Sequence, residues 1–300
     1  MSDAIMRSGL VTLAGRPNVG KSTLLNRLVG QKISITSSRA QTTRHRLLGI
    51  KTTDHAQFVY VDTPGLHADN KGVMNRHMNR VADASLHGVD CIVLLIAASG
   101  WTQQDEYPLQ LVLKQGIPVI LVINKLDQLK DRSKLLPLME LSNRKAEFSE
   151  IVPVSARTGA NADDLENVIL KHLPHQPFLY PADQISDRGE RFLASELIRE
   201  QIFRGFQQEV PYATAVSIEQ FKRTKGALHV DATIWVEKEG QKPILIGKDG
   251  QRLKTVGSRA RLAMQKLFGA KVHLHLWVKV REGWSDSARA LHSLGYTDET

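Results

Sequence analysis

A glycine-rich segment near the start of the chain combines residue types suited to binding phosphates. Residues 15–23 read GRPNVGKST, between an apolar run at 9–14 and a helical pattern that begins at Lys21. Glycines let successive amide N–H groups turn toward one anion, and the positive end of the helix dipole adds to their field. Lys21 can reach the terminal phosphates, and the Ser22 hydroxyl can ligate Mg²⁺. Spacing and context both favour a phosphate loop over a glycine turn that only joins a strand to a helix.

An aspartate follows the next apolar strand. Residues 59–65 read VYVDTPG, so Asp62 stands at a strand end. In phosphate-loop enzymes an aspartate at this place holds Mg²⁺ through a water, and the Gly65 N–H can face the third phosphate. An aspartate near a proline is also a common turn. Only the loop upstream makes the functional interpretation the stronger one.

A third polar motif, NKLD at 124–127, ends the apolar strand 119–123. Guanine presents N1–H and an exocyclic amine, two donors that one carboxylate can accept together, whereas adenine offers no such pair. Asp127 is therefore predicted to bind guanine, and Asn124 to tie the loop and approach the other edge of the base. Ser155 and Ala156, after the next strand, would add backbone support. The alternative is a polar turn at a strand end.

Length and charge limit the classes of protein to consider. Three hundred residues suit two domains, each large enough for its own core. The net charge of +9 and a pI near 9.6 favour a polyanionic partner, either nucleic acid or an acidic membrane surface.

The number of cysteines and the length of the apolar runs indicate the cellular compartment. Cys91 is the single cysteine, which excludes an intrachain disulfide, and its apolar neighbours predict a buried strand residue. The longest apolar run, 91–98, is far shorter than the ~20 residues of a membrane-spanning helix. Residues Met1–Ile5 lack a signal-peptide core. We expect a reducing cytoplasm.

Alternating strands and helices over residues 7–173 predict a doubly wound α/β sheet, with the active groups in loops beyond the carboxyl ends of the strands. The predicted strands are 10–14, 57–61, 91–97, 118–123 and 151–154. The predicted helices are 21–29, 74–86, 104–114, 132–147 and 163–171. Three prolines within 174–181 then predict a stiff connector.

The remaining chain has a different pattern. An amphipathic helix over 191–208 precedes strands at 212–218 and 228–237, a short apolar stretch, a helix to 267 and a strand over 272–280. Between the last two helical stretches stands GKDG, 247–250, whose glycines would let a phosphodiester approach the backbone. Residues 242–266 carry seven lysines and arginines against one acid, Asp249. A simple turn and a solvated basic face are the alternatives.

Two smaller features lie near the end of the chain. His273 and His275 alternate with leucines and are expected on a half-exposed strand, with no recurring metal-ligand spacing. A tail containing Trp284, Arg289, Leu294 and Tyr296 is expected to pack against the second domain, with RNA contact as the alternative.

The four motifs GxxxxGKS, DTPG, NKLD and SA resemble those of the translation-factor-related GTPases. The segments QKISI at 31–35 and AQTTRHR at 40–46 are similar to the Era family of bacterial GTPases, and this resemblance covers nearly the whole chain. It implies that 41–44 lies in a first switch, that Thr43 ligates Mg²⁺ when the third phosphate is present, and that a second switch begins at 62–66. Asn18 matches an asparagine that holds K⁺ in some relatives.

Leu66 departs from the small-GTPase pattern, because it stands where those enzymes have the glutamine that orients water. Hydrolysis is therefore expected to depend on positioning and charge neutralisation by Lys21, Mg²⁺ and a monovalent cation, and to be slow without a stimulating partner. We predict no catalytic base.

The helix, strand, strand, helix, helix, strand order with a GxxG loop resembles a type II KH domain. The expected fold is thus an α/β, doubly wound phosphate-loop GTPase domain at 1–173, a linker at 174–189, and a smaller α+β type II KH domain with a C-terminal tail at 190–300.

The resemblance implies a slow GTPase switch that binds the 3′ end of 16S ribosomal RNA and acts in 30S subunit assembly and rRNA maturation. It also implies peripheral contact with the inner membrane, and we expect a monomer. The alternative is an RNA-binding assembly scaffold whose nucleotide site is structural, with negligible turnover.

The expected site residues fall into four groups. The catalytic residues are Lys21, Thr43 and Gly65. The GTP/GDP-binding residues are Gly15, Arg16, Pro17, Asn18, Val19, Gly20, Lys21, Ser22, Thr23, Asp62, Thr63, Pro64, Gly65, Leu66, Asn124, Lys125, Asp127, Ser155 and Ala156. The Mg²⁺ ligands are Ser22, Thr43 and Asp62. The RNA-binding residues are Ile246, Gly247, Lys248, Asp249, Gly250, Arg252 and Lys254.

Overall fold

A computed structural model describes residues 6–37, 39–67 and 72–296. Residues Met1–Ile5, on which the expectation about a signal peptide depends, lie outside these ranges. The described chain forms two compact units. Unit 1 contains residues 6–34, 43–67 and 78–187, and unit 2 contains 35–37, 39–42, 72–77 and 188–296. None of the helices in the described ranges is long and apolar enough to cross a membrane.

Unit 1 is built on a six-stranded sheet with the order β2-β3-β1-β4-β5-β6. Its strands are β1 (Arg7–Ala14), β2 (Leu47–Thr52), β3 (Ala56–Asp62), β4 (Cys91–Ala97), β5 (Val119–Asn124) and β6 (Glu150–Pro153). Its helices are α1 (Lys21–Val29), α2 (Val73–Ala84), α3 (Gln103–Leu113), α4 (Leu135–Lys145) and α5 (Ala162–His172), the first turn of α2 belonging to unit 2. Strands β3, β4 and β5 are buried along their whole length, as in parallel sheets covered on both faces. Cys91 is fully buried, as predicted.

The predicted α/β fold is confirmed, with one strand added. β2 pairs antiparallel with β3 and was absent from the sequence prediction. Its sequence, LLGIKT, is short and contains a glycine, so it lacks the continuous apolar run of the parallel strands. A tight turn, closed by the Thr53 N–H donating to the Ala56 carbonyl, makes β2 and β3 a hairpin. The predicted helix 132–147 also begins late, since Arg132–Lys134 form a 3₁₀ turn before α4.

The proline-rich segment after α5 belongs to unit 1 and is hydrogen-bonded to the rest of that unit. The Ser8 N–H donates to the Pro174 carbonyl, and Gln57 Oε1 accepts from the N–H groups of Leu179 and Tyr180. At the end of the segment, Asp187 Oδ1 accepts from the Leu48 N–H. These bonds hold the backbone at both of its ends and in the middle.

Unit 2 contains a three-stranded sheet, β7-β8-β9, in which β8 pairs antiparallel with β7 and parallel with β9. Its elements are α6 (Glu190–Gly205), β7 (Thr214–Thr224), β8 (Ala227–Val236), α7 (Gln241–Ile246), α8 (Gln251–Phe268), β9 (Lys271–Val280) and α9 (Ala288–Ser293). The predicted order of elements is confirmed. One face of the sheet packs against α6 and α8 in a continuous apolar core.

The tail packs against unit 2, as expected. Trp284 is fully buried, stacks on Tyr296 with ring centroids 5.9 Å apart, and donates from Nε1 to the Ala213 carbonyl. Arg289 is exposed.

Helix α6 buries charged residues that its apolar pattern did not predict. Glu200 is fully buried, and its Oε1 accepts from the Thr36 N–H at 3.0 Å. The neighbouring Arg199 is 1% exposed and donates to the Thr42 carbonyl. Thr36 and Thr42, from an early part of the chain, thus provide hydrogen-bond partners for polar groups that would otherwise be costly to bury.

Candidate functional site

The phosphate loop joins β1 to α1, and glycines are required at both of its ends. Gly15 has φ 138°, and a Cβ there would lie 2.6 Å from the Leu95 carbonyl oxygen. Gly20 has φ 106°, and its Cβ would lie 2.3 Å from Asn124 Nδ2. Backbone angle and space both exclude other residues, so the loop geometry follows directly from the two glycines.

Lys21 lies inside this loop and is 7% exposed. Its Nζ donates to the carbonyl oxygens of Gly15, at 2.9 Å, and Arg16, at 3.1 Å. Burial lowers the pKa of Lys21 to about 8, against the opposing effect of the Asp62 carboxylate. The ammonium group is therefore fixed in the loop by backbone carbonyls.

The other loop residues have distinct environments. Arg16 pairs with Asp105 of α3 at 3.0 Å, and Val19 is fully buried. Asn18 is exposed and has a positive φ of 64°. Thr23 is half-buried in α1.

Three oxygen-bearing side chains meet next to the loop. Ser22 Oγ lies 2.8 Å from Thr43 Oγ1 and donates to Asp62 Oδ2 at 2.7 Å. Ser34 Oγ, which the sequence analysis missed, donates to the same oxygen at 2.8 Å. The sequence signal for Ser34 is weak, because a lone serine in a loop has no distinguishing spacing.

One oxygen of the Asp62 carboxylate remains available as a ligand. Asp62 is fully buried, and its Oδ1 has no hydrogen-bond partner among the residues that the structure describes. Burial raises the pKa of Asp62, while the hydrogen bonds from Ser22 and Ser34 and the charge of Lys21 oppose that shift. A buried carboxylate oxygen beside two hydroxyls suits a hard cation such as Mg²⁺, which prefers oxygen ligands.

The segment after Asp62 approaches the phosphate loop closely. A Cβ at Gly65 would lie 2.6 Å from the Pro17 nitrogen, and the Leu66 N–H donates to the Gly15 carbonyl. Leu66 is 1% exposed and packs in the apolar core between sheet and helices. Its side chain therefore cannot orient a water molecule. Thr63 and Pro64 connect Asp62 to Gly65, and Thr63 Oγ1 donates to the Leu13 carbonyl.

Asn124 and Asp127 form the second half of the site, at the carboxyl end of β5. Asn124 Nδ2 donates to the Val19 carbonyl at 2.8 Å, and Asn124 Oδ1 accepts from the Ala156 N–H at 3.0 Å. Ser155 Oγ donates to Asp127 Oδ1 at 2.6 Å. Asn124 thus joins the phosphate loop to the Ser155–Ala156 turn. Lys125, between the two, has a positive φ of 69°.

Arg157 contacts the same carboxylate and was not predicted from sequence. Its guanidinium nitrogen lies 2.6 Å from Asp127 Oδ2, although 69% of the Arg157 side chain is exposed and only 8% of Asp127. A guanidinium offers planar N–H donors, as the donor edge of guanine does. Arg157 therefore occupies an oxygen that a guanine base would use.

Replacing Arg157 by alanine is expected to tighten GDP binding by about two- to threefold, since exposed ion pairs contribute only ~0.2–1 kcal/mol. Calorimetric titration with GDP measures the change. Arg132→Ala is the control, because Arg132 lines the pocket of about 490 Å³ beside Asp127. Weaker GDP binding by the Arg157 variant would mean that this side chain supports the nucleotide.

A separate loop in unit 2 joins α7 to α8. Residues Lys248–Gly250 form a 3₁₀ turn, and Gly247, Asp249 and Gly250 all have positive φ, at 75°, 50° and 73°. A Cβ at Gly247 would meet the Arg252 side chain at 2.7 Å. Nothing lies within 4 Å of a Cβ at Gly250, so only its backbone angle favours glycine there.

Basic side chains continue from this loop into α8. Arg252 packs beside Gly247 and its guanidinium lies 6.0 Å from the ring of Phe206, while Lys254 is exposed one turn into the helix. Ile246, at the end of α7, packs partly against the core of unit 2. The loop therefore presents backbone and positive charge suited to a phosphodiester.

Family profiles match both parts of the chain. Residues 10–125 match the family described as "50S ribosome-binding GTPase", and residues 209–285 match the KH domain. The chain is 50% identical to GTPase Era of Marinobacter nauticus over 97% of this chain and 96% of that protein. It is 52% identical to GTPase Era of Xanthomonas axonopodis pv. citri over 97% of both.

Two solved structures are similar over the same extent. One is Era in complex with MgGDPNP and nucleotides 1506–1542 of 16S ribosomal RNA, with 42% identity, a TM-score of 0.94, and coverage of 97% of this chain and 99% of that one. The other is a single-residue variant of Aquifex aeolicus Era bound to GDP·AlF₄⁻, with the same identity and TM-score, covering 97% of this chain and all of that one.

Proposed function

The chain belongs to the GTPase Era family, and from this membership we propose a switch protein that couples slow GTP hydrolysis to binding of the 3′ end of 16S ribosomal RNA. It is a GTPase with a KH domain. The observation that carries the proposal is that one chain combines two sites. One has a carboxylate suited to binding guanine, Asp127, near a phosphate loop, and the other is a GxxG loop between two helices. Its process would be 30S subunit assembly and rRNA maturation.

In the nucleotide site, Lys21 and the amides of residues 15–20 would bind the phosphates, and Asp127 the base. Ser22, Thr43 and Asp62 would hold Mg²⁺, which supplies charge neutralisation on the terminal phosphates when bound. Lys21 and the Gly65 N–H would stabilise charge that develops on the transferred group. The exposed Asn18 would help to hold a K⁺ ion, as the family resemblance implies.

The backbone at Thr42 and Thr43 would give a route from nucleotide state to RNA binding. Within unit 2, the Thr42 carbonyl accepts from Arg199 of α6. Within unit 1, the next residue, Thr43, lies at hydrogen-bonding distance from Ser22. Ligation of Mg²⁺ by Thr43 would therefore act on a backbone segment held by α6, with GTP favouring the RNA-competent arrangement and hydrolysis releasing it.

We place the GTPase domain at 1–173, the linker at 174–189 and the KH domain with its tail at 190–300. The backbone bonds of the connector to Ser8, Gln57 and Leu48 support a stiff linker. The proposed form is a cytoplasmic monomer, and its charge of +9 favours peripheral contact with an acidic membrane surface.

The Gly247→Asp/Gly250→Asp variant is expected to lose at least about a hundredfold of its affinity for single-stranded RNA, because it adds negative charge and side chains where the backbone meets phosphate. Fluorescence anisotropy with a labelled oligonucleotide from the 3′ end of 16S rRNA measures binding at fixed salt and with GTP analogue or GDP.

GTP affinity of the same variant should stay unchanged, since both glycines lie in unit 2. Gly88→Asp/Gly116→Asp is the matched control, because these two glycines also have positive φ and open surroundings but lie in turns of unit 1 that precede β4 and β5. Retained RNA binding by the first variant would remove the GxxG loop from the proposal.

A further inference from the structure

The sheet of unit 2 has an outer face that no part of the proposed function uses. In β9, alternate residues point away from the helices and form a row: Lys271, His273, His275, Trp277 and Lys279. The parallel register sets His229 of β8 beside His273 and Thr233 beside Trp277. The intervening residues of β9 belong to the apolar core. We name this row, together with His229, the β9 face.

The β9 face is rich in exposed rings. Trp277 is 47% exposed, whereas tryptophan side chains are on average highly buried. His229 and His273 stack with centroids 4.8 Å apart and planes within 14°. His275 lies 6.2 Å from Trp277, centroid to centroid. Side chains on one face of a strand recur every ~6.6 Å, so these rings form an evenly spaced series.

Positive charge surrounds the rings. Lys271 and Lys279 stand at the two ends of β9, and β8 and β9 together contain one acid, Asp231, which is hydrogen-bonded to His275. Desolvation and then the charges of His229, Lys271, His275 and Arg261 lower the pKa of His273. The local field is therefore positive and only partly neutralised.

A metal site does not account for the histidines. In the described ranges, no cluster of three or more His, Cys, Asp or Glu side chains has the geometry to hold a metal ion. A row of flat rings with a lysine at each end instead suits a single-stranded nucleic acid, whose bases stack on aromatic rings while its phosphates contact cations.

The β9 face lies on the side of the sheet away from α8 and the GxxG loop, but it borders the sheet edge that β9 forms, so an RNA strand can reach it from the loop by passing over that edge. α8 starts directly after Gly250, and the chain reverses at Gly269 into β9, so β9 runs antiparallel to α8. A Cβ at Gly257 of α8 would lie 3.4 Å from Leu276 of β9. Trp277 and Lys279 therefore lie toward the GxxG end, and Lys271 toward the far end.

We propose that the β9 face is a second RNA surface, on which a single strand leaving the GxxG loop stacks its bases against Trp277 and the histidine rings while Lys271 and Lys279 contact its phosphates. This inference rests on the proposed RNA-binding function. It extends the RNA footprint beyond the four nucleotides that a KH groove holds.

The test compares two single-stranded RNAs on the full chain, one of four nucleotides and one of about twelve nucleotides, both from the 3′ end of 16S rRNA. The His273→Ala/Trp277→Ala variant should bind the longer RNA about tenfold or more weakly and the short one as the parent does. Trp277→Phe, which keeps a ring, should retain most of the affinity. Lys271→Ala/Lys279→Ala should reduce the slope of log K against log salt by about 1.4.

The control is Lys114→Ala/Lys171→Ala, two exposed lysines of unit 1 that should leave both affinities and the slope unchanged. Equal binding of short and long RNA by the parent, or unchanged binding of long RNA by the double variants, overturns the proposal. Loss of binding to a ribosomal protein with unchanged RNA binding would also overturn it. Failure of the parent to bind either RNA would instead count against the proposed function.

Discussion

Replacing Asp127 by asparagine is expected to weaken GTP binding on the order of ten-thousand-fold and to create affinity for xanthosine triphosphate. The carboxylate can accept from both donors of guanine, whereas the amide places an NH₂ group opposite one of them. Xanthine carries a carbonyl in place of the amine and restores the pair. The Ser155 hydroxyl donates to Asp127 Oδ1 and holds this side chain in one orientation, so rotation of the side chain cannot compensate for the substitution. Competition titration with both nucleotides measures the transfer of preference.

Asp131→Asn is the matched control. Asp131 lies in the same loop, but the hydrogen bonds that its carboxylate accepts within the described chain come from Ser133 and not from Ser155. GTP affinity should be unchanged in this variant. Unaltered preference for GTP in the Asp127 variant would contradict the assignment of the base-binding carboxylate.

Replacing Lys21 by alanine is expected to reduce GTP hydrolysis by about a hundred- to a thousandfold, the usual cost of removing one preorganised donor to developing charge. The ammonium group is held inside the phosphate loop by two carbonyl oxygens at 2.9 and 3.1 Å, which places it to contact phosphates that bind there. Phosphate release under single turnover measures the effect, with Lys130→Ala, an exposed lysine of unit 1, as the control.

The same lysine gives a pH dependence with a definite sign. Its pKa is about 8, and neighbouring phosphates favour the charged form and raise that pKa. Affinity for GTP should therefore be constant below pH 8 and fall as pH rises above it, because binding then takes up a proton. The alanine variant should lack this decline between pH 8 and 9. An equal decline in both proteins would assign it to another group.

The parts of the site that could be predicted from sequence are those set by local chemistry. The loop glycines, Lys21, Asp62 and Asp127 each need a residue type that few others can replace, and each follows a strand with a strong apolar pattern. Parallel strands meet at one edge, so their carboxyl ends had to converge.

The parts that escaped prediction depend on contacts distant in the chain. Ser34 and Arg157 reach their carboxylates only after folding, and no spacing marks them. β2 is stabilised by pairing with β3, not by its own composition. Glu200 breaks the apolar pattern of α6, and its burial makes sense only once Thr36 donates to it.

Asn124 determines how freely the nucleotide site can change. A single amide braces the phosphate loop on one side and the Ser155–Ala156 turn on the other, and a Cβ at Gly20 would collide with it. Recognition of the purine and recognition of the triphosphate thus both depend on the Asn124 side chain. A variant with a different base preference therefore has to keep Asn124 and change Asp127 alone. Replacing Asn124 would also weaken binding of the triphosphate.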